Sequence, residues 1–447
     1  MGPNDATISK LIAEQNERPL PEIVSREVRL PTIPGKADAL IGMRRSGKTY
    51  RLFDEIRRLL DEGVPRTRLL YLNLEDDRLG RADLATLDRA LEVFYRRDPI
   101  ARTEGAWLFL DEVQVVPGWE RFARRVLDTE VARLFVTGSS ARQLSTEVAT
   151  AFRGRSMTVE VLPYSMREAA KADGAEWSQN DWPPGAASRS RMDAFIIDYL
   201  QRGGFPAVRS LNPYDRVQVL QEYVDLVVLR DVAERHTATN LQAIRQLVAA
   251  MFSANANGFS VSRLHGALVS QGFKVGKATL LAYLDHVLDA FLFFFVSLRT
   301  RSARQRAVNP RKVYAVDPGL AAAMYRAGAN NQGAQLENAV YLELRRRYGR
   351  LAESMITWVK TSSGKEVDFV IDDPVRGGPP ALVQVCVHMD EPSTRDREIG
   401  ALMEAMTDLG AGSATIVTMT DDELVETDVG PIRIMPAREW FFRIDRD

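Results

Sequence analysis

Two short stretches of this sequence carry residue types suited to chemistry on a phosphate anhydride. Gly42-Met43-Arg44-Arg45-Ser46-Gly47-Lys48-Thr49 fits the pattern G-x-x-x-x-G-K-[ST]. Its glycines let successive backbone N–H groups close around phosphate oxygens, and a helix opening at its end turns a positive dipole end toward the anion. Lys48 is expected to reach the β- and γ-phosphates and the Thr49 hydroxyl to ligate Mg2+. Gly42, Arg44, Arg45, Ser46, Gly47 and Tyr50 complete the expected nucleotide contacts. The second stretch, Trp107-Leu108-Phe109-Leu110-Asp111-Glu112, is an apolar run ending in two carboxylates. Asp111 is expected to hold the Mg2+ through water and Glu112 to polarise the attacking water. A carboxylate beside the metal suits hydrolysis rather than phosphate transfer to a protein.

Two further clusters follow in the chain. Leu134-Phe135-Val136-Thr137-Gly138-Ser139-Ser140 is an apolar run ending in hydroxyls, of which Ser139 is the first choice and Thr137 the reserve for sensing a γ-phosphate or orienting water. Arg153-Gly154-Arg155 offers a guanidinium that would neutralise transition-state charge in a neighbouring subunit, with Arg155 ahead of Arg153.

The elements that must position these residues are legible as alternation. Short apolar runs at Ala37–Ile41, Arg68–Leu74, Trp107–Leu110, Arg133–Thr137 and Met157–Val161 read as strands, and Thr49–Asp61 and Trp119–Asp128 have helical spacing. Alternating β and α segments predict an α/β core with a mostly parallel sheet. A helix is expected near Ile8–Asn16, followed by a Pro-broken arm. The expected boundaries are an N-terminal adaptor (1–35), the ATPase core (36–170), a linker and helical lid (171–235), a winged-helix module (236–330) and a C-terminal α/β domain (331–447).

The chain has 447 residues, enough for about three domains. Its 59 Lys plus Arg balance 60 Asp plus Glu, which argues against a uniformly basic nucleic-acid coat. One cysteine excludes an internal disulfide framework, and four scattered histidines make a histidine metal site unexpected. No apolar run approaches the roughly 18 residues that span a bilayer, and the N-terminus lacks a signal pattern. A cytoplasmic location with no membrane partner is the expectation.

The middle of the chain carries its own pattern. Val261–Val269 and Gly276–Asp289 read as two helices joined by the Gln271-Gly272-Phe273 turn, a helix-turn-helix. Lys274 and Lys277 stand where a recognition helix meets DNA. From Val296 to Lys312 there are six cations and no acid, namely Arg299, Arg301, Arg304, Arg306, Arg311 and Lys312. On a hairpin between two apolar strands they predict a phosphate-binding wing with salt-dependent affinity. Contact with an acidic protein surface is the alternative.

Taken together, Gly42–Thr49, Leu110-Asp111-Glu112-Val113-Gln114 with Trp119, and Thr137-Gly138-Ser139-Ser140 resemble the AAA+-type ATPases of bacteria and archaea that carry a C-terminal domain of unknown function. Arg153-Gly154-Arg155, Leu162-Pro163-Tyr164-Ser165, Gly203-Gly204-Phe205-Pro206 and Leu229-Arg230-Asp231 extend the resemblance, as do Leu336-Glu337-Asn338 and Gly364-Lys365-Glu366-Val367-Asp368-Phe369. It implies an AAA+-type P-loop ATPase core taking ATP and Mg2+, a winged helix and a restriction-endonuclease-like C-terminal domain. It implies no agreed substrate, with branched-DNA remodelling, Holliday junctions included, and nucleotide-controlled switching among the proposals. The first reading here is a homo-oligomer, a hexameric ring among the forms, that couples ATP hydrolysis to DNA binding or remodelling. A nucleotide-controlled switch acting through protein contacts with little turnover is the second reading. In restriction-like nucleases an acid on one strand is followed by Glu-x-Lys on the next. Here Gln384 and Cys386 stand in place of that Glu and Lys, so nuclease activity is not expected and Glu337 and Asp368 read as structural remnants.

Overall fold

The computed structural model describes residues 4–138, 154–175, 177, 182–236, 238, 240–300, 302, 310–324 and 331–443. The chain divides into two compact units, Met1–Leu162 and, apart from residues 289–291, Pro163–Asp447. No helix among the described residues is long and apolar enough to cross a membrane.

The first unit is built on five strands, β1 (Ala37–Ile41), β2 (Leu69–Asn73), β3 (Ala106–Asp111), β4 (Ala132–Gly138) and β5 (Ser156–Glu160), in the spatial order β2-β3-β4-β1-β5. Every neighbouring pair is parallel. All five residues of β1 are buried, as a central strand covered on both faces must be. In the helix Lys48–Asp61, Leu52, Ile56 and Leu59 recur at helical spacing and pack with Leu40, Phe109 and Phe135. The Phe109 and Phe135 rings stack with centroids 4.7 Å apart.

The helix Leu84–Arg97 was not anticipated from periodicity. Its start is a capping box: Thr86 N–H donates to Asp83 Oδ1 at 2.8 Å, and Asp83 N–H donates to Thr86 Oγ1 at 3.2 Å. The N-terminal helix runs Asp5–Glu17, capped by the Asn4 side chain.

The second unit begins with helices Met166–Ala172, Ala186–Arg202 and Pro213–Leu226, the last continuing in π-helical form through Val227–Glu234. The Gly203-Gly204 break is a close crossing of backbones. A Cβ on Gly204 would lie 2.2 Å from the Tyr164 carbonyl oxygen, so no larger residue fits. Its N–H donates to Asp317 Oδ2 at 2.6 Å. Helices Leu241–Ser253, Val261–Ser270 and Lys277–Asp289 follow.

A nine-stranded sheet organises this unit. Its strands are β6 (Asn257–Phe259), β7 (Phe293–Leu298), β8 (Arg311–Ala315), β9 (Ile356–Lys360), β10 (Glu366–Ile371), β11 (Ala381–Val385), β12 (Ala414–Thr418), β13 (Glu423–Val425) and β14 (Ile432–Pro436). The order is β13-β14-β12-β11-β10-β9-β7-β8-β6. β7 and β8 form the antiparallel hairpin expected of a wing, but β7 also pairs in parallel with β9. One sheet therefore runs across residue 330, where the sequence suggests a boundary. Helix Pro392–Leu409 lays Ala401, Leu402, Ala405 and Met406 against Val367, Val370, Leu382 and Ile416.

Candidate nucleotide site

The phosphate loop leaves the C-terminal end of β1 and opens the helix Lys48–Asp61. Gly42 adopts φ 154°, and a Cβ there would meet the Val161 carbonyl oxygen at 2.3 Å, so the loop begins where only glycine fits. Arg45 (φ 68°) and Gly47 (φ 102°) are also left-handed, which folds the loop back over itself. Lys48 is buried, and its ammonium donates to the carbonyls of Gly42 (3.0 Å) and Met43 (3.1 Å). Ser46 is buried, and its hydroxyl has no hydrogen-bond partner among the described residues. Arg44 is half-exposed, and Arg45 and Tyr50 are exposed.

The end of β3 brings the acids to the loop. Asp111 is 2% exposed, and its carboxylate accepts from three hydroxyls: Thr49 (2.8 Å) and Tyr71 (2.9 Å) on Oδ2, and Thr137 on Oδ1. Burial pushes the Asp111 carboxyl above its ordinary range, the three hydroxyl bonds oppose that shift, and Glu112 reinforces it. Burial likewise raises the Tyr71 phenol, with Asp111 adding to the effect. Glu112 stands at φ 57° and is half-buried, its backbone N–H bonded to Thr137 Oγ1 (2.9 Å). The Gln114 amide donates to its carboxylate at 2.5 Å. Thr49 and Asp111, the two expected Mg2+ ligands, thus meet directly. Hard oxygen donors of this kind, beside a lysine and a buried unfilled hydroxyl, suit a Mg2+–nucleotide complex.

Three residues at this site were missed or ranked low. Tyr71 comes from β2, whose Asn73 lies in register with Asp111, and a polar-tipped aromatic in an apolar strand was its available signal. Thr137, the reserve hydroxyl, touches both Asp111 and Glu112. Arg26, in the N-terminal arm, bonds the carbonyls of Ser46 (3.1 Å) and Leu162 (2.6 Å), and no sequence spacing announces it. Ser139 and Arg153 lie outside the described residues. Arg155 is exposed and ion-paired with Asp128 of its own chain.

Between the helices Val261–Ser270 and Lys277–Asp289, Gly272 turns at φ 87°, and Lys274 and Lys277 are exposed. The wing requires correction. Lys312 is not a surface cation. It lies on β8, 5% exposed, with its ammonium 2.7 Å from Asp368 Oδ1 and 3.0 Å from Glu337 Oε1. The alternation of β8 turns it inward, and two buried carboxylates hold it there. Arg311 starts β8 with its guanidinium over the Phe295 ring at 4.1 Å, and Arg299 pairs with Asp372. Neither sits at a hairpin tip. Arg301, Arg304 and Arg306 lie outside the described residues.

Comparison with known proteins adds the relationships. Residues 35–170 match the family described as AAA domain, and residues 194–332 match a domain of unknown function, DUF8612. The chain is 30% identical over 426 residues to the uncharacterized protein MJ1544 of Methanocaldococcus jannaschii, covering 94% of this chain and 91% of that protein. It is 28% identical over 333 residues to an uncharacterized protein of Haemophilus influenzae, covering 74% and 78%. Among solved structures, the Walker-type ATPase PABY2304 of Pyrococcus abyssi is similar at 12% identity and TM-score 0.41, covering 72% of this chain and 95% of that one. The Orc1 protein of Aeropyrum pernix follows at 15% identity and TM-score 0.27, covering 72% and 92%. With its α/β fold, its parallel five-stranded sheet and an AAA domain at residues 35–170, the chain belongs to the same family as MJ1544.

Proposed function

We propose that this protein is an ATP hydrolase whose nucleotide cycle acts on bound DNA. The carrying observation is the convergence of Lys48, Thr49, Asp111 and Glu112 at the C-terminal ends of β1 and β3. Gly42, Arg44, Arg45, Ser46, Gly47 and Tyr50 line the phosphate side, Lys48 answers the terminal phosphates, and Thr49 and Asp111 would hold Mg2+. Bound Mg2+ supplies charge neutralisation on the phosphates. Glu112, free of Gln114, accepts the proton of the attacking water. Thr137 fixes the Glu112 backbone and the Asp111 carboxylate in one frame. Arg155, or Arg153, serves a neighbouring copy of the chain.

DNA is the favoured partner because Lys274 and Lys277 are exposed at the start of the second helix of a helix-turn-helix. The wing's contribution rests on Arg301, Arg304 and Arg306. The switch reading is kept because Gln114 holds the Glu112 carboxylate, a contact that restrains turnover until it is released.

Steady-state ATPase rates with single-stranded, duplex and four-way-junction DNA, together with native mass in nucleotide, test the proposal. Stimulation by one DNA form is the expected result. Turnover that no DNA changes, with no DNA binding, would sink the DNA half and leave the switch.

A further inference from the structure

A cavity of about 740 Å3 opens in the second unit between β8, β9, β10, β11 and the helix Pro392–Leu409. That volume suits a ligand of nucleotide size. Among the described residues four carboxylates and four cations line it, and their pairing decides what it can take. Glu337 accepts from Lys312 and from the Tyr314 hydroxyl (2.7 Å). Asp368 accepts from Lys312 and from the Val385 backbone N–H (2.9 Å). Glu398 accepts from the Gln384 amide (2.7 Å) and, through Nε and Nη2, from Arg397. Glu366 pairs with Lys360 at 3.2 Å. Every carboxylate of the wall therefore has its donors already. The position between the two innermost ones is filled by the chain's own ammonium, Lys312.

The groups left over are donors. Lys365 is half-buried, and its ammonium has no hydrogen bond or ion pair among the described residues. Its ammonium lies over Gly400, where a Cβ would come within 2.9 Å of Nζ, so the missing side chain makes its room. The turn that carries it is held by several hydrogen bonds. Glu404 accepts from the Ser362 hydroxyl and from both the hydroxyl and the N–H of Ser363, and the Lys365 N–H donates to Thr361 Oγ1. Trp358, also in the wall, has a buried indole N–H with no acceptor among the described residues. A cavity whose unmet groups are donors recruits an acceptor-rich anion. Among the described residues of the wall the only guanidinium, Arg397, spends its fork on Glu398, so none of them is left for planar bidentate recognition of a carboxylate. A lysine point charge suits a phosphoryl group.

We propose that this cavity binds a phosphate-bearing ligand without a divalent cation, with Lys365 as its anchor. This site is separate from the phosphate loop and independent of the nucleotide reading. Calorimetric titration tests it on the full chain carrying Lys48→Ala, which silences the phosphate loop, in EDTA. The probes are phenyl phosphate, a 5′-phosphorylated dinucleotide and the same dinucleotide without its phosphate. Saturable binding of the phosphorylated probes only is expected. Lys365→Ala should weaken it by about tenfold or more, the loss typical of one charge-assisted bond, and Lys365→Arg should retain part. Gly400→Ala favours its helix yet crowds the Lys365 ammonium, so it should weaken binding with no fall in melting temperature. A tighter dinucleotide marks a strand end as the source, and equal affinities mark a small phosphomonoester. No saturation with either phosphorylated probe, binding unchanged by Lys365→Ala, or binding that appears only with added Mg2+ would overturn the proposal.

Discussion

Asp111 and Glu112 are neighbours in sequence with different surroundings. Asp111 is closed in by three hydroxyls, whereas Glu112 is half-buried and held by a single amide. Glu112→Gln keeps the shape and removes the base, so ATP should bind and persist, with turnover down by at least about a hundredfold. Gln114→Ala frees the carboxylate and should raise basal turnover if the contact restrains the site. Single-turnover and steady-state rates on both variants check this, and survival of Glu112→Gln within about tenfold of the parent would remove its role as base. Asp38, buried at 3% exposure on β1, gives a pH signature. Burial, reinforced by Glu55, lifts its carboxyl from 3.8 to about 6. The folded state therefore holds the proton more tightly than the unfolded chain. Stability falls as pH rises from about 4 to 6 and stays lower above. Asp38→Asn should melt at a higher temperature than the parent at pH 7.5, with the gap closing by pH 4, as thermal melts across pH will show.

At the scale of elements, the strands of the first unit were legible because each is a short apolar run flanked by polar turns. Helix Leu84–Arg97 carries a helical signal as well, Leu87, Ala90, Leu91 and Phe94 behind the Asp83/Thr86 cap, which the alternation of strands overshadows. The basic run was legible as charge but not as position. Arg311 and Lys312 belong to β8, and the pleat sends Lys312 into the interior, where Glu337 and Asp368 receive it. Both carboxylates arrive from far along the chain, so no local pattern reveals the triad. Removing the ammonium strands two buried acids. Lys312→Met should destabilise the fold by about 3–5 kcal/mol at pH 8. Adding Glu337→Gln should recover part of that loss, because one buried charge then disappears. Urea denaturation midpoints of the single and double variants measure both effects, and a neutral Lys312→Met would show that the triad contributes nothing.

At the scale of the whole molecule, Arg155 is the residue whose proposed role depends on a second copy. Within one chain its guanidinium pairs with Asp128 on an exposed surface, where an ion pair contributes little. Arg155→Ala subunits should bind ATP yet turn over poorly, and mixing them with Lys48→Ala subunits should restore part of the rate. One subunit then supplies the intact pocket and the other the arginine. Absence of rescue at every mixing ratio assigns Arg155 to its own chain. The sequence by itself determined the phosphate loop, the acidic strand end and the α/β alternation. These are written in contiguous residues, where glycine placement and strand hydrophobicity act locally. Only the tertiary structure decided that Tyr71 and Arg26 join the candidate nucleotide site and that Thr137, the reserve hydroxyl, bonds both Asp111 and the Glu112 backbone. The same holds for the single sheet across residue 330 and for Lys312, which serves buried acids rather than a surface wing. Each of these depends on strand order, register and the sign of the pleat, which set distant residues side by side and leave no periodic trace in the chain.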